Sequence, residues 1–121
     1  MTTFGDRLSH SVRRCRTPVL VGLDPRLEQL PPALQPTVAT DLTAVAAAYA
    51  EFCRGVIDTV SVSVPAVKPQ AAFFEQLGAP GMAALAEVIG YAREQGLLVI
   101  LDGKRNDIGS TAAAYADAYL G

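Results

Sequence analysis

A chain of 121 residues, half of them hydrophobic and only 18% charged, has apolar material for one core and one domain. A formal charge of -2, with no Lys/Arg cluster beyond Arg13, Arg14 and Arg16, excludes an electrostatic footprint for nucleic acid or an anionic membrane surface. His10 is the only histidine and Cys15 and Cys53 form no C-x-x-C pair, which argues against serine-type triads, histidine or cysteine metal sites and a disulfide framework. No apolar run is long enough to span a bilayer, and residues 1–6 show no basic start or apolar stretch of a secretory signal, so a cytoplasmic location is expected.

Phe4, Leu8, Val12 and Cys15 recur at helical spacing and predict a short amphipathic helix over the first fifteen residues, with His10 on its solvated side. Thr17 to Asp24, "TPVLVGLD", is a β-branched apolar run closed by an acid and Pro25, as in a buried strand that stops sharply. Pro25, Pro31, Pro32 and Pro36 forbid a long helix over residues 25–39 and predict a loop with one turn. A long helix follows from an N-cap near Thr40, with Leu42, Val45, Tyr49, Phe52, Val56 and Val60 as its apolar stripe.

"SVSVPAVKPQ" predicts a second strand ending at Lys68 and Pro69. Ala71 to Leu77 allows a helical turn or two before Gly78 breaks it. Phe73 and Phe74 are expected in the core, and Glu75 as a solvated residue or a local acceptor. Pro80 and Gly81 restart a helix that carries Met82, Leu85, Ile89 and Ala92 on one side and stops at Gly96. Leu97 to Asp102 is the third strand, and Ser110 or Thr111 caps a last helix through Ala112 to Leu120.

The order αβαβαβα implies a parallel sheet covered by helices, whose strands read as continuous apolar runs. In such architectures ligands gather at the carboxyl ends of the strands. All three strands end in ionisable residues: Asp24, Lys68, and Asp102 with Lys104. A charge where a strand leaves the core is also what any chain shows on reaching water, and Asp24 or Lys68 alone would carry little weight. Asp102 and Lys104, two apart, project to one side if the chain stays extended, and Asp107 is close enough to return to them. A lysine flanked by carboxylates stays protonated, an acid rather than a nucleophile. Such a site suits a substrate that loses a carboxylate and leaves a carbanion to be protonated. There is no G-x-G-x-x-G and no P-loop, and nothing suggests a nicotinamide, flavin or pyridoxal cofactor.

The pattern D-x-K-x-x-D-I-x-x-T, here Asp102, Lys104, Asp107, Ile108 and Thr111, resembles the orotidine 5'-phosphate decarboxylase family. "VGLDP" around Asp24, "VKPQ" around Lys68 and the following "AAFFE" support the resemblance, and "VGLDPR" with "KRNDIGSTA" is similar to the bacterial type also found in mycobacteria. It implies a TIM (β/α)8 barrel, of which this chain holds about the first three βα units, and conversion of orotidine 5'-phosphate to UMP and carbon dioxide without a cofactor. Asp24 and Lys68 would contact the ribose hydroxyls, Asp102 would crowd the departing carboxylate, and Lys104 would protonate C6. Asp107 joins Asp102 and Lys104 in the implied catalytic set and, with Ile108 and Thr111, the substrate-binding set, Asp107 and Thr111 reaching into the site of a second subunit, so a homodimer is implied.

Relatives that share D-x-K-x-x-D include metal-dependent sugar-phosphate enzymes such as 3-keto-gulonate-6-phosphate decarboxylase. They place a carboxylate at the end of the second strand to help hold magnesium, where an ammonium such as Lys68 would repel a cation. No metal is therefore expected. Barrels of this kind run to about 250 residues, and the phosphate-gripping glutamine and arginine implied by the resemblance have no counterpart in the chain. A truncated chain, inactive or weak alone, is the expectation. The alternatives are a non-catalytic or complementing half-barrel and a metal-dependent relative.

Overall fold

The computed structural model describes residues 2–120. Strands β1 (Val21–Leu23), β2 (Ala66–Pro69) and β3 (Leu98–Val99) form a parallel sheet in that order. Helices α1 (Phe4–Cys15), α2 (Leu42–Val60), α3 (Ala71–Glu75), α4 (Gly78–Glu94) and α5 (Gly109–Leu120) alternate with them, and two 3-10 turns, Leu27–Gln29 and Pro32–Leu34, fill the proline-rich segment.

The strands are shorter than their apolar runs because pairing begins late. Val21 is opposite Val67, so Thr17 to Leu20 have no partner strand, and Val19 and Leu20 are exposed. Ser61 to Ser63 turn off the end of α2, with the Ser63 and Val64 N–H groups donating to the Val60 carbonyl, so β2 begins only at Ala66. On the third strand the ladder outruns the regular segment: the Ile100 N–H donates to the Val67 carbonyl and the Asp102 N–H to the Pro69 carbonyl, both at 3.0 Å. That pairing carries the strand geometry up to Asp102.

Local chemistry sets the helix ends. Thr3 and Asp6 form a reciprocal capping box at the start of α1. Asp41, not Thr40, caps α2, its carboxylate accepting from the Thr43 and Ala44 N–H groups at 3.0 and 3.1 Å. Gly78 and Gly96, with φ of 66° and 78°, open and close α4. Helix α4 starts ahead of Pro80 because proline is tolerated in a first turn.

The core lies on one side of the sheet. Tyr49, Cys53 and Ile57 of α2, Leu85, Val88 and Ala92 of α4, and Leu23 and Val67 of the sheet form one buried cluster closed by Phe74. The Tyr49 and Phe74 rings meet edge to face at 6.2 Å. Each such side chain, fully buried, contributes about 1.5–3 kcal/mol. The stripe on α2 is thus rotated from the expected one: Cys53 and Ile57 are fully buried, Phe52, Val56 and Val60 only partly, and Leu42 is exposed. Similarly on α4, Val88 is buried and Met82 and Ile89 are at the margin. Gly81 is where α4 meets the end of α3. A Cβ there would stand 1.9 Å from the Phe74 carbonyl oxygen, so only glycine permits the approach.

On the outside of this layer Arg54 pairs with Glu87, and the Tyr91 hydroxyl donates to Asp58. That bond favours the protonated phenol and raises the Tyr91 pKa. Helices α1 and α5 are peripheral; α5 buries no residue. No helix among the described residues is long and apolar enough to cross a membrane.

Candidate active site

The sheet register decides which side chains meet. Gly22 pairs with Lys68, and Gln70 bridges to Asp102, so alternation puts position 22, Lys68, Ile100 and Asp102 on the face away from α2 and α4. None of these four is buried. The Lys68 ammonium donates to the Asp102 Oδ2 at 2.8 Å, joining the ends of β2 and β3 with both side chains half-buried. Asp24, exposed just beyond β1, shares this end of the sheet. A Cβ on Gly22 would lie 3.2 Å from the Asp24 Oδ1, so the glycine leaves room for that carboxylate beside the strand that carries Lys68.

The electrostatics follow from this pairing. The Lys68 hydrogen bond and charge hold the Asp102 carboxyl below its ordinary value of 3.8, with the nearby Lys104 ammonium and a Gln70 hydrogen bond adding to the effect. Asp102 is therefore ionised at neutral pH. Lys104 is exposed and forms no ion pair among the described residues. The expected pair of Asp102 with its near neighbour Lys104 is thus replaced by a bond to Lys68, which leaves the Lys104 protons available. Beneath the site Cys53 is sealed in the core, and burial, with the Asp24 charge, pushes its thiol up to about 12.

The rest of the D-x-K-x-x-D-I-x-x-T run turns away. Asp107 does not come back to Asp102; its Oδ1 accepts from the Ile108 N–H at 2.7 Å. Ile108 is 85% exposed, and Thr111 is exposed in the first turn of α5, which begins at Gly109, ahead of the expected caps. The structure therefore brings Asp24, Lys68, Asp102 and Lys104 to one end of the sheet and leaves Asp107, Ile108 and Thr111 projecting from it. A cavity of about 310 Å³ lies between Ala71, Leu101, the loop residues Arg105 and Asp107 and the α5 residues Tyr115 and Tyr119; Asp107 lines it, whereas Asp102 and Lys104 do not.

Two contributors were not legible in the sequence. Gln70 closes the "VKPQ" stretch without a role of its own in it, yet it pairs with Asp102 across the sheet. Glu75, expected as a solvated residue or a local acceptor, is partly buried and pairs with the distant Arg105, beyond β3. A 30-residue separation leaves no periodic signal that could have joined the last two.

The profile described as "Orotidine 5'-phosphate decarboxylase / HUMPS family" matches residues 17–121. An orotidine 5'-phosphate decarboxylase of Rhodopirellula baltica is 59% identical over 122 residues, covering 100% of this chain and 40% of the relative. One of a Nocardioides species is 43% identical, covering 99% and 41%. Among solved structures, the OMP decarboxylase of Leishmania donovani superposes with a TM-score of 0.75 at 38% identity, over 98% of this chain and 40% of the other. The UMP synthase of the same organism gives 0.76 at 38% identity, over 99% and 23%. The chain spans about 40% of the length of the curated relatives it matches.

Proposed function

The chain belongs to the orotidine 5'-phosphate decarboxylase / HUMPS family, its three βα units form part of a (β/α)8 barrel, and from that premise we propose that it supplies the decarboxylating end of a cytoplasmic orotidine 5'-phosphate decarboxylase. The observation that carries this is the run of charges at the strand ends: an ionised Asp102 held by Lys68, with Lys104 two residues on and in no ion pair among the described residues. Asp24 and Lys68 bind the ribose hydroxyls. Asp102 faces the substrate carboxylate. As the bond from C6 to the carboxylate carbon breaks, its electron pair stays on C6, carbon dioxide leaves, and the Lys104 Nζ gives C6 a proton that solvent later restores. Repulsion between two carboxylates and attraction of the new carbanion by an ammonium both favour the forward step. Binding energy from the remote phosphate would drive it further.

The same geometry supports a metal-free reaction over the sugar-phosphate chemistry of the superfamily. The end of β2 carries an ammonium, and Asp102 is already neutralised by it, so a divalent cation would have to displace Lys68. Exposure of Asp107, Ile108 and Thr111 supports a homodimer in which they serve the partner's site.

The test is release of carbon dioxide from orotidine 5'-phosphate by the protein at its native length, with and without EDTA. Turnover that persists in EDTA is expected. Turnover abolished by EDTA would replace this reading with the metal-dependent one, and no turnover with either would favour a non-catalytic barrel segment.

A further inference from the structure

Helix α3 is short, yet three consecutive side chains on it lead to three parts of the molecule. Phe74 is fully buried against Tyr49. Phe73 lies under the Arg26 guanidinium, 4.8 Å from its ring centre, and Arg26 sits two residues after Asp24. Glu75 pairs with Arg105, one residue after Lys104. The other end of α3 grips the same loop. The Ala71 N–H donates to the Asp102 carbonyl at 2.9 Å, and Gly103 packs so close that a Cβ would stand 3.3 Å from that of Ala71.

Lys104 lies between these two grips. Arg105 tightens the second one, its Nη1 donating to the Lys104 carbonyl at 3.1 Å and its backbone N–H to the Gly103 carbonyl at 3.0 Å. The Lys104 side chain has no bond of its own among the described residues, so its backbone alone aims the ammonium. Glu75 is the costly member: its Oε1 is shut off from solvent without a partner while Oε2 takes Arg105. A half-exposed pair adds little to stability, so such a cost points to placement.

We propose that Glu75 is a positioning residue which, through Arg105, holds the backbone of Lys104 so that its ammonium stands beside Asp102. This rests on the decarboxylase reading above. Misplacing a reacting group by about 1 Å can cost 100-fold in rate, so Glu75→Gln, which keeps shape and removes charge, is expected to lower kcat for orotidine 5'-phosphate about 10–100-fold with KM within about twofold and Tm unchanged. Arg105→Gln should reproduce the loss, and the exchanged pair Glu75→Arg with Arg105→Glu should recover most of it. Amide hydrogen exchange at residues 103–106 should quicken in Glu75→Gln and slow again in the exchanged pair. An unchanged kcat, or a loss that tracks Tm and is not recovered by the exchange, overturns the assignment. If the parent protein shows no turnover, the decarboxylase reading fails by itself and hydrogen exchange decides: unaltered protection at residues 103–106 would sink the positioning role.

Discussion

The two faces of the sheet are built on opposite principles. Behind it, α2 and α4 enclose Tyr49, Cys53, Ile57, Phe74 and Val88 with almost no accessible surface. In front, Lys68, Ile100 and Asp102 stand partly open, joined by one ion pair. The difference separates what holds the chain together from what it can do: stability resides in the closed face, and the charged face is free to be arranged for chemistry.

A substitution on the open face that breaks no ion pair should therefore cost activity without stability. Lys104→Ala in the protein at native length is expected to reduce decarboxylation by at least about 10²–10⁴-fold, the usual worth of a general acid, with Tm unchanged. A variant that keeps its turnover would break the assignment of the open face. The mirror experiment is Phe74→Ala, expected to cost about 3–5 kcal/mol in urea unfolding, because a fully buried ring leaves a cavity. A loss under 1 kcal/mol, in that same measurement, would show that the closed face is not the source of stability.

Acid sharpens the contrast further. The carboxyl of Asp102 is lowered in the folded protein, so its contribution is complete above the unfolded carboxylate value of about 3.9 and is lost as pH falls through the lowered one. Urea midpoints followed down to about pH 2 should fall more steeply for the parent than for Asp102→Asn; identical slopes would mean that the Lys68 pair adds nothing. The smallest effect belongs to the periphery: Thr3→Ala removes the α1 cap and should cost about 1 kcal/mol or less, since α1 buries only Ser11.

How far the sequence could be read tracks this same division. The periodicity of Val45 and Tyr49 and the ending of the second and third strands at Lys68 and Asp102 are local patterns, and both appear in the structure. The stripe on α2 was misplaced because the helix is apolar on two sides, so Phe52 and Val56 looked as eligible as Cys53 and Ile57. Strand lengths were overread at Thr17 to Leu20, where apolar character runs ahead of any pairing partner. The bonds of Asp102 to Lys68 and of Glu75 to Arg105 span 34 and 30 residues. Only the first lay within reach of register reasoning; the second depends on how a loop lies against a short helix.

The two polar links outside the core have a further effect. Arg54 and Asp58 are four apart on one helix, and Glu87 and Tyr91 are four apart on the other. They work like a vernier: sliding α4 one turn along α2 would bring Arg54 to Tyr91, strand Glu87 and carry Asp58 to the level of Gln95. Helix α4 leads into β3, so a one-turn slip would shift Asp102 by about 5 Å, the helical pitch, out of reach of Lys68. Two solvent-side contacts thus match the axial height, held by the buried faces of the two helices, at which the charges on the far side of the sheet come level.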